Sequence, residues 1–316
     1  MKKLTIALLS GGISSERDVS LKSGNQVFEA LDKDKYTVLR YDPKTDLQKL
    51  MADAPAIDAA LIILHGPYGE DGTVQGMLDL LHIPYQGAGV LGSALAMNKL
   101  AAKRLYEKAG LRVAPYACLG AGDAIDVDAC IEQLGLPLVI KPVSGGSSIG
   151  MSIVKSRDAL SAAIEKAFRY DRTVMVEAFI KGLEITVGVI GNDRLESFPP
   201  IEILPGDGYE FFDYEAKYTA GATQEICPAR IDEALTQKVQ HCARIAHEAL
   251  FLRGYSRTDF ILKDGEFYVL ETNTIPGMTP TSLLPRAAEA AGLSFSLLLD
   301  RLVALSIEDH QHRITA

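Results

Sequence analysis

The chain has 316 residues, with 32 basic side chains against 41 acidic ones and a formal net charge of −9. That length suits two or three compact domains of roughly 100–200 residues each, and a composition 47% apolar and 23% charged excludes a disordered or fibrous chain. The acidic balance argues against a nucleic-acid partner, which requires a basic face.

Leu4–Leu9 reads as a first buried strand. Its short apolar run behind Lys2-Lys3 falls below the ~7–15 residues of a signal peptide and meets Gly11-Gly12 without a cleavage pattern. A polar helix from about Asp18 to Leu31 follows, then strands at Tyr36–Tyr41 and Ala59–Leu64, a short helix at Val74–Leu81 and a fourth strand at Ile83–Gln86. This alternation predicts a parallel α/β sheet with ligands at the carboxyl ends of its strands, where Gly11-Gly12 and His65-Gly66 fall. One helix is expected from Ser93 to Gly110. Strands at Leu138–Lys141 and Met151–Val154, a helix at Arg157–Phe168, and strands at Val174–Ala178 and Glu184–Ile190 suggest an α+β block. Pro205–Ala222 reads as a long polar loop of the functional kind. A helix from about Asp232 to Leu250, a hairpin from Thr258 to Glu271 and a closing helical region complete the chain. No apolar stretch approaches the ~18–20 residues of a membrane span. The spacing of Cys118, Cys130, Cys227 and Cys242 matches no zinc motif, so free thiols in the cytoplasm are expected and no membrane partner.

Gly87-Ala88-Gly89-Val90-Leu91-Gly92 matches the dinucleotide fingerprint, but the acid due about 20 residues on is missing. The segment is therefore expected to be a tight strand-to-helix turn. No Walker A sequence is present. The loop Lys141–Gly150 is a better phosphate candidate: its glycines admit backbone N–H groups, Ser147 and Ser148 add hydroxyls, and Lys141 adds charge. Taken alone it also fits a mobile hairpin.

The hairpin carries Asp259 on one arm and Glu271 and Asn273 on the other. A two-residue Asp264-Gly265 turn would pair Asp259 with Leu270 and turn Glu271 to the opposite face. A three-residue loop, Lys263-Asp264-Gly265, would pair Asp259 with Val269 and gather all three on one face. The three-residue loop is the expected form. Such oxygen ligands suit Mg²⁺ held together with nucleotide phosphates, and Arg257, sharing a face with Asp259, suits an oxyanion. Ser14-Ser15-Glu16-Arg17-Asp18 fits either a helix cap or, through Glu16, a substrate ammonium.

Taken together, these blocks resemble the D-alanine–D-alanine ligases of the ATP-grasp superfamily. The matching segments are Gly11–Glu16, His65–Gly72, Met97-Asn98-Lys99, Lys141–Gly150, Tyr214–Tyr218, Arg257-Thr258-Asp259 and Glu271–Leu283, in order over nearly the whole chain. The resemblance implies an α/β, three-domain ATP-grasp architecture. It comprises an N-terminal domain (1–95) for the first D-alanine, a central domain (96–182), and a C-terminal domain (183–316) with the metal and second-substrate sites. Lys99, Lys141, Ser147, Ser148 and Lys217 would face ATP phosphates, and Glu177, Glu184 and the backbone near Ile180 the adenosine. Asp259, Glu271 and Asn273 would hold two Mg²⁺ ions, with Mn²⁺ as a substitute. Glu16 and His65 would serve the first D-alanine, Arg257 and the Gly277 N–H the oxyanion, and Ser282 with the Leu283 N–H the second carboxylate. Ser147 and Tyr218 would link to Glu16 and close the long loop. Tyr218 stands where D-lactate-accepting depsipeptide ligases differ, which points to D-alanine. Family analogy adds a homodimer. The alternatives are another ATP-grasp carboxylate–amine ligase and an inactive nucleotide-binding paralogue, although the latter should have lost a metal ligand or Arg257.

Overall fold

The computed structural model describes residues 2–146, 149–206 and 223–315. Ser147, Ser148, Lys217 and Tyr218 therefore lie outside the described residues, as does most of the long polar loop.

The chain opens with β1 (Leu4–Ser10), α1 (Arg17–Ala30), β2 (Tyr36–Tyr41), α2 (Leu47–Asp53) and β3 (Ala59–Ile63). The three strands form a parallel sheet in the order β2-β1-β3. Ile6, Ala7, Leu8 and Leu9 are all fully buried, and such an unbroken apolar run is what a strand covered on both faces requires. The expected fourth strand does not form. Tyr85 makes only an isolated parallel bridge to Ala60, because Pro84 has no N–H to donate. The Gln86 side-chain amide takes the Ile62 backbone instead, accepting from its N–H and donating to its C=O, both at 2.8 Å.

After α3 (Thr73–Leu80) the expected single helix is two, α4 (Val90–Met97) and α5 (Lys99–Lys108). Asn98 breaks the run with φ −99° and ψ 101° and caps the second helix, its side chain accepting from Ala101 N–H at 2.9 Å. The glycine-rich turn before α4 is a packing device. A Cβ on Gly92 would approach Leu252 Cδ2 to 2.8 Å and two backbone oxygens to 3.2 Å.

Strand β4 (Arg112–Val113) leads to β5 (Tyr116–Gly120), α6 (Val127–Leu134), β6 (Leu138–Pro142), β7 (Ser152–Val154), α7 (Leu160–Phe168) and β8 (Thr173–Ala178). An antiparallel sheet in the order β5-β8-β6-β7 results. The third sheet contains β9 (Leu183–Gly191), β10 (Glu196–Ser197), β11 (Ile201–Pro205), β12 (Thr223–Ile226), β13 (Gly254–Lys263) and β14 (Glu266–Asn273), with β4 joining its edge parallel to β14. The helices Glu233–Ala249, Leu283–Ala290 and Phe295–Thr315 cover it.

The first and third sheets share a core. Ile6, Leu8, Leu61 and Ile63 pack in one cluster with Ile190, Tyr255, Leu284, Leu298 and Leu302. The middle sheet has its own, built on Leu138, Ile140, Leu160, Ile164, Val174 and Val176. At roughly 1.5–3 kcal/mol per buried aliphatic side chain, the first cluster ties two sheets together and the second holds the middle layer. The segment α5–β4 packs with the third core through Ala102, Tyr106 and Leu111. All four cysteines are free. Among the described residues no single helix is long and apolar enough to cross a membrane.

Candidate active site

Two cavities meet between the sheets. One, of about 410 Å³, is lined by Glu16, His65, Lys99, Arg257, Glu271, Asn273, Gly277, Ser282 and Leu283. The other, of about 160 Å³, is lined by Lys99, Lys141, Glu177, Ile180, Glu184, Asp259 and Glu271. Lys99 and Glu271 border both, so every site residue expected from the sequence within the described segments falls on one continuous recess.

The hairpin reaches this arrangement by an unexpected route. Lys263 pairs with Glu266, so the turn is the two-residue Asp264-Gly265 and not the three-residue loop. Both central residues are left-handed, at φ 51° and 76°, as an Asp-Gly turn of the mirror-image type requires. The expected pairing of Asp259 with Val269 is therefore wrong. Phe260 takes Val269, while Asp259 lies opposite Glu271 and Arg257 opposite Asn273. The register shifts between Asp259 and Phe260, and the extra residue is Leu270, a β-bulge. The bulge brings Glu271 and Asn273 onto the face of Asp259 after all, and it also turns Leu270 into the second cavity beside Ile261.

On this face Arg257 clamps Asp259 bidentately, Nε to Oδ1 and Nη2 to Oδ2, each at 3.0 Å. Thr186 Oγ1 donates to Asp259 Oδ1 at 2.5 Å and Asn273 Nδ2 to Oδ2 at 3.1 Å. Burial works against the Arg257 charge, but the Asp259 carboxylate outweighs it and its pKa is raised. The opposite face is buried: Thr258 and Thr272 hydroxyls meet at 2.9 Å, and Tyr106 donates to Thr272 at 2.7 Å. Two carboxylates and one amide, all oxygen-bearing, fit a hard divalent cation. Among the described residues no group of three or more His, Cys, Asp or Glu converges, so this mixed set is the metal candidate.

The first cavity's floor comes from the strand ends. Glu16 and His65 are both buried, and a Cβ on Gly66 would come within 3.1 Å of Glu16 Oε2. Burial holds the His65 imidazole below its ordinary pKa, with the Glu16 carboxylate opposing. Across the cavity, Ser282 precedes the helix Leu283–Ala290, whose N-terminus suits an anion. Its hydroxyl accepts from Thr279 N–H at 3.1 Å. A Cβ on Gly277 would stand 3.0 Å from Ser282 Oγ, so glycine keeps that approach open. In the second cavity Lys141 pairs with Glu177 Oε2 and Lys103 with Oε1, while Lys99 Nζ donates to the Gly145 carbonyl of the glycine loop.

Sequence reasoning passed over several residues that line this recess or support it from behind. Glu70 lies in the His65–Gly72 block and lines the first cavity. Desolvation, aided by Glu16 and Glu271, pushes its carboxyl up to about 8. Thr186, Leu270 and Lys103 carry no local motif. Their placement follows from strand pairing, the bulge and helix rotation, which spacing alone does not reveal.

The chain is similar to known proteins over nearly its whole length. Residues 105–304 match the family described as D-ala D-ala ligase C-terminus, and residues 42–88 match D-ala D-ala ligase N-terminus. A D-alanine–D-alanine ligase from Syntrophobacter fumaroxidans is 60% identical over 98% of this chain and 99% of its own length. One from Desulfotalea psychrophila is 57% identical over 97% and 96%. The crystal structure of the Bacillus anthracis D-alanine–D-alanine ligase complexed with ATP superposes with a TM-score of 0.86 at 36% identity, covering 98% of this chain and 99% of that one. The chain belongs to the D-alanine–D-alanine ligase family.

Proposed function

We propose that this protein joins two D-alanines into D-alanyl-D-alanine, converting ATP to ADP and phosphate, to supply a peptidoglycan precursor. The observation that carries the reading is the junction of the two cavities at Lys99 and Glu271. A phosphoryl group entering from the nucleotide side meets a carboxylate entering from the amino-acid side there.

In this reading the first D-alanine carboxylate oxygen attacks the γ-phosphorus and ADP leaves, giving D-alanyl phosphate. The second amine attacks the acyl carbon and inorganic phosphate departs. Glu16, with His65 beside it, holds the first ammonium. Arg257 and the Gly277 N–H take the developing oxyanion, and Ser282 with the Leu283 N–H orients the second carboxylate. Lys99 and Lys141 face the phosphates; Glu177, Glu184 and the backbone near Ile180 face the adenosine. Asp259, Glu271 and Asn273 would hold Mg²⁺, two ions in the family pattern, which supplies charge neutralisation on the transferring group. Ser147, Ser148, Lys217 and Tyr218 keep the roles the resemblance gives them: Ser147, Ser148 and Lys217 toward the phosphates, and Ser147 with Tyr218 closing the long loop and excluding water. We propose a cytoplasmic enzyme and a homodimer; exposed Leu80, Leu91 and Phe251 offer apolar surface for a second copy, and solution molar mass tests this.

The deciding experiment is phosphate release from ATP with Mg²⁺, with and without D-alanine. D-alanine should raise the rate by orders of magnitude. A rate indifferent to D-alanine overturns the substrate assignment, and a rate restored equally by D-lactate as the second substrate favours a depsipeptide ligase.

A further inference from the structure

Glu177 on β8 receives two ammonium groups, one on each carboxylate oxygen, and the two lysines are not equivalent. Lys141 comes from β6 and lines the nucleotide cavity, with its side chain 11% exposed. Lys103 comes from α5, lies behind the carboxylate away from that cavity, and is 1% exposed. Its ammonium rests 5.5 Å from the Tyr116 ring centroid, and Tyr116 is the strand neighbour of Glu177. Two lysines on one carboxylate leave this three-residue cluster at net +1, where a single ion pair would be neutral. When a phosphate draws Lys141 away, a lone partner would strand a buried carboxylate without a counter-ion, a strongly unfavourable state. A second cation fixed in the core removes that conflict.

We propose that Lys103 is a positioning residue for nucleotide selection: it holds Glu177 by Oε1, charged and fixed, while Lys141 turns to the phosphates and Oε2 becomes free to accept the amino group of the base. This rests on the reading of the second cavity as the nucleotide site. A carboxylate so held accepts from a 6-amino purine and repels a 6-oxo purine, so Lys103 sets the preference for ATP over ITP without touching either. Burial lowers the Lys103 pKa, and Glu177, with a smaller contribution from Glu107, opposes the shift.

The test uses full-length Lys103→Met, checked for folding by its thermal transition. The KM for ATP should rise at least about tenfold, the scale of one lost buried charge contact, with kcat changed far less and the KM for D-alanine unchanged. The ATP-over-ITP preference should narrow by a similar factor. An unchanged ATP KM and an unchanged ATP/ITP ratio in the folded variant overturn the proposal, as does a loss confined to kcat. If Lys103→Met does not fold, the double variant Lys103→Met/Glu177→Gln, which removes both charges, is compared with Glu177→Gln. Equal nucleotide preference in the two supports action through Glu177, and a further loss in the double variant refutes it. Binding of a non-hydrolysable ATP analogue without D-alanine reads the same effect. A failed ligase assay with Lys103-dependent analogue binding would therefore count against the reaction and not against this role.

Discussion

Arg257 and Asp259 sit two residues apart on one strand, and each completes the other. The arginine keeps the carboxylate aimed, while the carboxylate keeps the guanidinium charged despite burial. Sharing Asp259 with a cation would loosen this clamp and release guanidinium donors toward the first cavity, which Arg257 lines. Arg257→Ala should therefore leave nucleotide binding nearly intact and lower turnover by about 10²–10³-fold or more, the scale of a lost oxyanion donor; steady-state kinetics beside analogue binding checks both halves. Near-normal turnover removes Arg257 from the chemistry. Glu271→Gln should raise the Mg²⁺ concentration needed for nucleotide binding, and a titration with an unmoved midpoint counts against it as a ligand. These residues are legible in the sequence because charges at alternate strand positions have few structural explanations. Glu70 and Lys103 are not, since their meaning lies in neighbours distant in sequence.

Among the elements, the hairpin teaches most. Its Asp-Gly turn is the form local chemistry prefers, whereas the expected longer loop would have met the need for a common ligand face at the turn itself. That need is met instead five residues from the turn, at Leu270, and nothing in the spacing marks a bulge. Burial does mark it: Phe267 and Val269 face the core, then Thr272 and Thr274 do, with the alternation slipping between. Because of the slip, an apolar side chain and a carboxylate that are adjacent in sequence both face the second cavity. Leu270→Ala should then raise the KM for ATP by about tenfold, as for the loss of most of a buried leucine, with the Mg²⁺ dependence unmoved. A shifted metal requirement would mean that Leu270 also positions the ligands. The helix break at Asn98 is hidden in the same way. A helical pattern runs through it, yet the interruption lets Lys99 N–H bond to Val143 O at 2.9 Å and bring its side chain to the glycine loop.

At the scale of the whole molecule, the parallel N-terminal strands, the strands of the middle block and the Asp259 hairpin are readable from apolar runs and turn residues, whereas β4, β5, β11, β12 and the sharing of cores are not. His247 ties stability to pH. It is buried in the helix behind the third sheet, its Nδ1 is 2.8 Å from Ser256 Oγ, and burial lowers its pKa to about 4. The unfolded chain binds this proton near pH 6.5 and the folded chain does not, so the group's contribution is full above about pH 6.5 and is lost as pH falls towards 4, by up to about 3 kcal/mol. Thermal denaturation of the wild type should fall more steeply between pH 7 and 5 than that of His247→Gln; parallel slopes would contradict it. The separate core of the middle sheet has a mechanical consequence. The chain enters that sheet after Ala114 and leaves it after Ala178, and Ala178 N–H bonds to Pro115 O at 2.9 Å, so both crossings lie side by side. The middle sheet is thus a cassette joined to the rest of the chain at two adjacent crossings and latched to α5 by the Lys99 N–H to Val143 O bond and the Lys103–Glu177 pair, so any swing of Lys141 toward the Asp259 hairpin would have to carry α5 along or break that latch.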